Sequence, residues 1–300
     1  MNILVIRPGA IGDALLTFPT LNALRIKYAA KRITFVSNAS VLPLAQSWKL
    51  ADEVSNFEQT QWSELFSTTG IRNSALRELL ATTDMAICWL SDPDHLVESN
   101  LRQAGVKKII VAPGRPPENS FAHVAEYLAS TVKIPAKQVR AWHPTVPTSN
   151  NKAGKTIAIH PGSGSERKNW PIASFAAVIK TLWQEGYAVL LLAGPAEEQK
   201  LAYLQSHLAP PPGLYRTLGN APLLEIAQQL RQCKGYLGND SGITHLAAML
   251  GVPTVAIFGP GSRVSNWEPL GRHVGIIQQP DLKFLTPFVV MVIIRADFRL

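Results

Sequence analysis

Cysteine is nearly absent from this chain of 300 residues. Cys88 and Cys233 stand alone, with neither metal-ligand spacing nor the clustered, even count of a disulfide framework, so a reduced compartment is expected. Long apolar runs are missing too. The most apolar stretch, residues 284–294, is about half the length a spanning helix needs, and Thr286-Pro287 interrupts it. It reads as a buried terminal strand or an interdomain packing segment, not as a membrane insertion. The chain opens directly on a strand-like run, without a basic region and apolar core ahead of a cleavage site, so no secretion leader is expected. No block of Lys and Arg and no basic run interleaved with aromatics occurs, which argues against a nucleic-acid partner. The Gly-x-Gly-x-x-Gly of a dinucleotide-binding oxidoreductase follows none of the strand-like runs, and no glycine loop ends in the lysine of a phosphate loop.

Against these absences, 46% of the residues are hydrophobic, enough to bury real cores, and the length suits about two domains. The formal charge of +8 favours an anionic partner such as a phosphorylated glycolipid or the anionic face of a membrane. Strand-like runs alternate with helical ones along the chain, as in a parallel sheet covered by helices. Strands are expected at 2–7, 32–37, 54–57, 84–90 and 106–112, with helices over 13–28, 39–50, 71–81, 95–104 and 121–132 between them. Residues 143–154 are polar and rich in breakers, the best linker in the chain. The alternation then restarts, with strands at 156–160, 187–193, 215–218 and 254–258 and helices at 172–185, 196–208, 223–233 and 243–250. Two Rossmann-like α/β domains, 1–145 and 155–300, facing a ligand cleft are therefore expected.

The most informative stretch is 238–260. Gly238-Asn239-Asp240-Ser241-Gly242 forms a tight polar turn after an apolar strand end, and Ile243 to Leu250 follows as a helix apolar on nearly every side. A helix N-terminus at the carboxyl end of a parallel strand offers free N–H groups and a positive dipole end, a ready diphosphate site. His245, in the first helical turn, is placed to donate to the same anion. Asp240 would repel phosphate, so it is assigned to donor-sugar hydroxyls or to fixing the loop. The bland alternative is a simple cap with a buried histidine.

Three further loops sit at strand ends. Arg7-Pro8-Gly9-Ala10-Ile11-Gly12-Asp13 uses Gly9 and Gly12 to turn the chain and deliver Asp13 to a helix start, where it serves either as an N-cap or as a chemical group. His160-Pro161-Gly162-Ser163-Gly164-Ser165 runs on to Lys168 and combines small residues, hydroxyl donors and a cation before a helix. Gly194-Pro195-Ala196-Glu197-Glu198 places a carboxylate where ribose hydroxyls are commonly held, with Glu197 and Glu198 both open candidates. The Asp92-Pro93-Asp94-His95 group invites a metal, but one of its aspartates reads better as a helix cap.

The turn Gly238–Gly242 followed by His245-Leu246-Ala247-Ala248, together with the Gly12-Asp13 and His160–Ser163 loops in that order, closely resembles the bacterial lipopolysaccharide heptosyltransferases, glycosyltransferase family 9. The resemblance runs from Ile3 to about Gly271 and lapses over 278–300. It implies the glycosyltransferase B fold, with acceptor groups on the first domain and donor groups on the second. It implies Asp13 as catalytic base, Ser163, Gly164, Ser165 and Lys168 around the donor diphosphate, and no metal or other cofactor. The expected activity is inverting transfer of a heptose or related sugar from an ADP-sugar to the inner core of lipopolysaccharide. Such an enzyme would be cytoplasmic and peripheral on the inner membrane. A non-catalytic nucleotide-sugar binding protein would keep the second-domain loops without needing Asp13, and a relative using another donor or acceptor would keep all of them.

Overall fold

The computed structural model describes residues 1–144 and 154–300, so most of the expected linker, 145–153, lies outside the described residues. The chain divides into two compact units, Met1–Trp142 and His143–Leu300.

The first unit is a five-stranded parallel sheet in the order β3-β2-β1-β4-β5. Its strands are β1 (Asn2–Arg7), β2 (Arg32–Ser37), β3 (Glu53–Asn56), β4 (Met85–Trp89) and β5 (Lys108–Ala112). The helices are α1 (Ile11–Leu15), α2 (Phe18–Lys27), α3 (Leu42–Ser47), α4 (Ser74–Ala81), α5 (Leu96–Gln103), α6 (Val124–Thr131) and α7 (Ala136–Arg140). β4 is apolar along its whole length and β1 from Ile3 to Ile6, as suits inner strands covered on both faces by helices. Leu4, Ile6, Val36, Ala86 and Cys88 form one face of that sheet's core with Leu76, Leu80, Val97 and Leu101 of α4 and α5.

The second unit carries six parallel strands in the order β11-β10-β9-β6-β7-β8. They are β6 (Thr156–His160), β7 (Ala188–Ala193), β8 (Tyr215–Gly219), β9 (Gly235–Asn239), β10 (Thr254–Phe258) and β11 (Val274–Gln278). Around them lie α8 (Ile172–Gln184), α9 (Glu198–His207), α10 (Leu223–Leu230), α11 (Gly242–Met249), α12 (Val264–Trp267) and α13 (Pro287–Phe298). Sequence order reverses between β1 and β4 in the first unit and between β6 and β9 in the second. Loops at such a switch point diverge and leave room for a ligand. The 7–13 loop follows β1, while the 160–171 loop and the 239–242 turn follow β6 and β9.

The structure departs from the expected elements where proline or all-round apolarity misleads. The helix expected over 13–28 is two helices, because Pro19 has no N–H to give the Leu15 carbonyl four residues back. Pro43 divides 39–50 in the same way, leaving a single 3₁₀ turn at Ala39–Val41 ahead of α3. Of the two readings of 284–294, a buried terminal strand or an interdomain packing segment, the strand is ruled out: residues 287–298 are helix α13, capped by Thr286. Its Val290, Met291, Ile294 and Phe298 join the core while Phe288 and Val292 face outward. β11, α7 and α12 are additions to the expected list. Among the described residues no helix is long and apolar enough to cross a membrane.

Phe298 closes the core against Gly235 at the start of β9, where any Cβ would collide with its ring. Phe298→Ala should therefore lower unfolding free energy by about 3 kcal/mol through the lost burial and the cavity left behind, read by chemical denaturation.

Candidate functional site

In the first unit Asp13 is the third residue of α1 and almost fully buried, with 4% of its surface exposed. It is not the N-cap residue. Its Oδ2 reaches back to accept from the Ala10 N–H at 3.2 Å, and its Oδ1 accepts from Arg7 Nη2 at 2.8 Å. Arg115 Nη2 approaches Oδ2 at 3.3 Å with a largely exposed side chain. Arg7 is itself buried at the end of β1. Its guanidinium also donates to Gly114 O and Pro8 O, at 2.8 and 2.9 Å. Burial pulls its proton affinity below the ordinary arginine value, and the Asp13 charge opposes that loss. Gly9 supplies the turn ahead of α1 at a φ of 134°, and Gly12 lies inside the helix. Arg7 and Arg115 were not expected as site residues; Arg115 lies 102 residues from Asp13, and Arg7, though only six residues away, was read as the end of a strand.

In the second unit the predicted donor residues converge at the carboxyl ends of β6 and β9. Lys168 ends a 3₁₀ turn, and its Nζ donates to Asp240 Oδ2 at 3.1 Å. Ser262 Oγ donates to the same oxygen at 2.7 Å, while Oδ1 accepts from no described residue. Ser241 is the N-cap of α11, its Oγ accepting from the Thr244 N–H at 3.4 Å, and Gly242 is the first helical residue. The leading amides of α11 have no partner within the helix and carry its positive end. His245 is 2% exposed, packed with the rest of this buried helix. Ser163 Oγ is turned back on its own loop, donating to Ser165 O at 2.8 Å and accepting from the Ser165 N–H at 3.2 Å. Gly164 faces open space.

Glu197 and Glu198 differ sharply in their surroundings. Glu197 is buried, accepts the Gly194 N–H on Oε2 at 2.7 Å, and lies so close over Gly162 that any Cβ there would strike its carboxylate. Glu198 is exposed and starts α9. His160, beneath the loop, is held neutral by burial, and the nearby Glu197 charge partly opposes that shift. Asp92 caps α5 through the Val97 and Glu98 N–H groups, both at 3.0 Å. Among the described residues no group of three or more His, Cys, Asp and Glu is placed to hold a metal.

One residue unassigned from the sequence holds this arrangement together. Asn239, fully buried, donates from Nδ2 to Pro161 O at 2.8 Å and to Asn169 Oδ1 at 3.3 Å, and accepts the Trp170 N–H on Oδ1 at 3.0 Å. Its amide thus ties both ends of the Lys168 loop to the end of β9.

The family model for glycosyltransferase family 9 (heptosyltransferase) matches residues 121–286, more than half of the chain. The chain belongs to glycosyltransferase family 9. Lipooligosaccharide heptosyltransferase 2 of Campylobacter jejuni serotype O:6 is 22% identical over 282 residues, covering 89% of this chain and 85% of that protein. Lipopolysaccharide heptosyltransferase 2 of Salmonella typhimurium is 37% identical over 100 residues, 32% of this chain and 28% of the relative, so that match spans under a third of its length. The structure of Escherichia coli ADP-heptose lipopolysaccharide heptosyltransferase II superposes with a TM-score of 0.80 at 22% identity, covering 100% of this chain and 99% of that one. That likeness places the two parallel-sheet units in the glycosyltransferase B fold.

Replacing Asn239 by Ala should leave the Trp170 N–H and Pro161 O without their partner, costing about 1–3 kcal/mol. Thermal melts and chemical denaturation read the loss.

Proposed function

We propose that this family 9 protein is an inverting glycosyltransferase that moves a heptose from ADP-heptose to the inner core of lipopolysaccharide. The observation that carries the reading is the grouping of Lys168, Asp240 and the α11 N-terminus at the β6–β9 switch point. An ammonium group has three donors, and Asp240 uses one of them. Two remain for diphosphate oxygens, beside the leading amides of α11. As the C1–O bond to the diphosphate breaks, these groups stabilise the charge developing on the leaving ADP. His245 lies within that same helix. Glu197, docked against the Gly162 loop, supplies a carboxylate for ribose hydroxyls.

Asp13 is the base in this reading. The acceptor hydroxyl gives its proton to the carboxylate as its oxygen attacks C1 from the face opposite the departing diphosphate, which inverts the anomeric centre. Both Asp13 oxygens are engaged by Arg7, Arg115 and the Ala10 amide. Arg115, the exposed partner, is the one an incoming acceptor can displace. The formal charge of +8 suits a phosphorylated glycolipid acceptor and an anionic membrane surface on the cytoplasmic side.

Lys168→Ala should weaken ADP binding about tenfold or more, the loss expected for charge-assisted hydrogen bonds. Unchanged affinity by calorimetry would remove the donor site from these loops.

Asp13→Asn removes the charge that compensates buried Arg7, so a lower melting temperature is expected. Turnover per folded molecule, measured well below that temperature with ADP-heptose and a truncated lipopolysaccharide acceptor, should fall about 10²–10⁴-fold while ADP affinity holds. Turnover that survives in the folded variant would exclude Asp13 as the base and favour a purely structural role.

A further inference from the structure

Beneath the 239–242 turn lie two hydroxyls that touch no solvent. Tyr236 on β9 and Thr244, the third residue of α11, are both 0% exposed. The Tyr236 ring lies along its strand over Gly238, where any Cβ would strike the phenol oxygen, and the missing side chain lets that hydroxyl reach Thr244 Oγ1 at 3.0 Å. Thr244 Oγ1 also lies 3.1 Å from the Oγ of Ser241, the residue that caps α11.

Counting hydrogens fixes which group donates. Thr244 has a single hydroxyl hydrogen, and it goes to Asn239 O, a carbonyl that can only accept. At its other two hydroxyl contacts the Thr244 oxygen therefore accepts, from Tyr236 on one side and from Ser241 on the other. Burial raises the proton affinity of the phenol above the ordinary tyrosine value, so Tyr236 keeps the hydrogen it donates.

We propose that Tyr236 is a positioning residue for the diphosphate: its hydroxyl keeps Thr244 satisfied, which frees the Ser241 hydroxyl hydrogen to turn outward to a diphosphate oxygen. The inference rests on the donor-site reading above and adds to it a residue that touches no part of the ligand.

Burial separates the three hydroxyls. Ser241 is partly exposed beside the leading amides of α11. Rotation about its Cβ–Oγ bond redirects the hydrogen while the oxygen goes on accepting the Thr244 N–H at 3.4 Å, so the cap survives the switch. Thr244 has no exposed surface, and no solvent replaces a donor it loses. A buried oxygen stripped of its donor bears an uncompensated desolvation cost. With Tyr236 in place, Thr244 keeps one donor whichever way Ser241 points. With that phenol removed, Ser241 is the one hydroxyl donor left to Thr244, and each bond it makes to a diphosphate breaks the bond beneath.

The test measures ADP affinity by calorimetry on the full chain in wild type, Tyr236→Phe, Ser241→Gly and the double variant. Phenylalanine keeps the ring and glycine serves at an N-cap nearly as well as serine, so all four are expected to fold, which thermal melts check. Tyr236→Phe should weaken ADP binding about fivefold, as for loss of one hydrogen bond. In the Ser241→Gly background no hydroxyl hydrogen is left to compete for, so adding Tyr236→Phe should change ADP affinity no further. An unchanged affinity in Tyr236→Phe would overturn the assignment. Equal losses in both backgrounds would also overturn it, by making Tyr236 a general support of the turn with no link to Ser241. Wild type that binds no ADP would sink the donor-site reading itself, a result distinct from both.

Discussion

The carboxamide of Asn239 sets the geometry on which the loops of the second unit depend. Two loops leave neighbouring strands at a switch point, and nothing in the sheet's own hydrogen bonding tells them where to go once the strands end. Asn239 is the last residue of β9, buried, and a single amide gives it both donors and an acceptor. It binds Pro161 at the start of the longer loop and Asn169 and Trp170 at its end, so the intervening residues are held at both bases. Lys168 stands directly before that second anchor, which is why its ammonium meets Asp240, the residue after Asn239. The anchoring extends outward, because the Trp170 indole donates to Leu285 O at 2.9 Å and so fixes the approach to α13. A neutral amide does this in a low-dielectric setting without burying a net charge, and every bond it makes is strengthened by that burial.

The first unit meets the same problem with charge. Arg7 is the last residue of β1, as Asn239 is of β9, and it too gathers loop atoms from either side of its strand: Pro8 and Asp13 on one loop, Gly114 on another. A buried ion pair is a costlier anchor than an amide, since both ions give up water and the Coulomb gain has to offset that loss. The exchange makes sense where a carboxylate is itself wanted. Arg7 keeps Asp13 in place beneath the surface, and Arg115 covers it from the solvent side with a largely exposed side chain. The same topological position thus carries a rigid neutral clamp in one unit and a compensated acid in the other.

How far the residues alone disclose this depends on the range of each interaction. Most strands were legible because parallel strands buried on both faces leave apolar runs, although β11, partly exposed at the sheet edge, was not. The loops after β1, β6 and β9 were legible because glycine, serine and capping residues crowd at strand ends. Helix limits were less so where proline falls one or two residues inside an apolar run, as at Pro19 and Pro43. The Val289–Ile294 run is β-branched and apolar on every side, and periodicity alone cannot tell such a run from a strand. Glu197 and Glu198 were inseparable by sequence because both suit a first helical turn; only the fold shows one of them lying over Gly162. Asn239 and Ser262 carried no local signal, because the atoms they hold lie 78 and 22 residues away.

The proposed donor site is also electrically closed on itself before any ligand arrives, and this shapes what can enter. Lys168 and Asp240 form a largely buried pair, and Ser262 gives Asp240 a second, uncharged partner. A diphosphate competing for the ammonium therefore need not strand the Asp240 carboxylate, since the hydroxyl remains on Oδ2 while Oδ1 is open to a further donor. A bare monoanion offers less Coulomb attraction to set against breaking the existing pair, and a ligand bringing both a diphosphate for Lys168 and hydroxyls for Asp240 satisfies both members at once. The pair thus acts as a filter on chemistry: a nucleotide sugar replaces each interaction it disrupts, whereas a simple phosphate replaces only one of them.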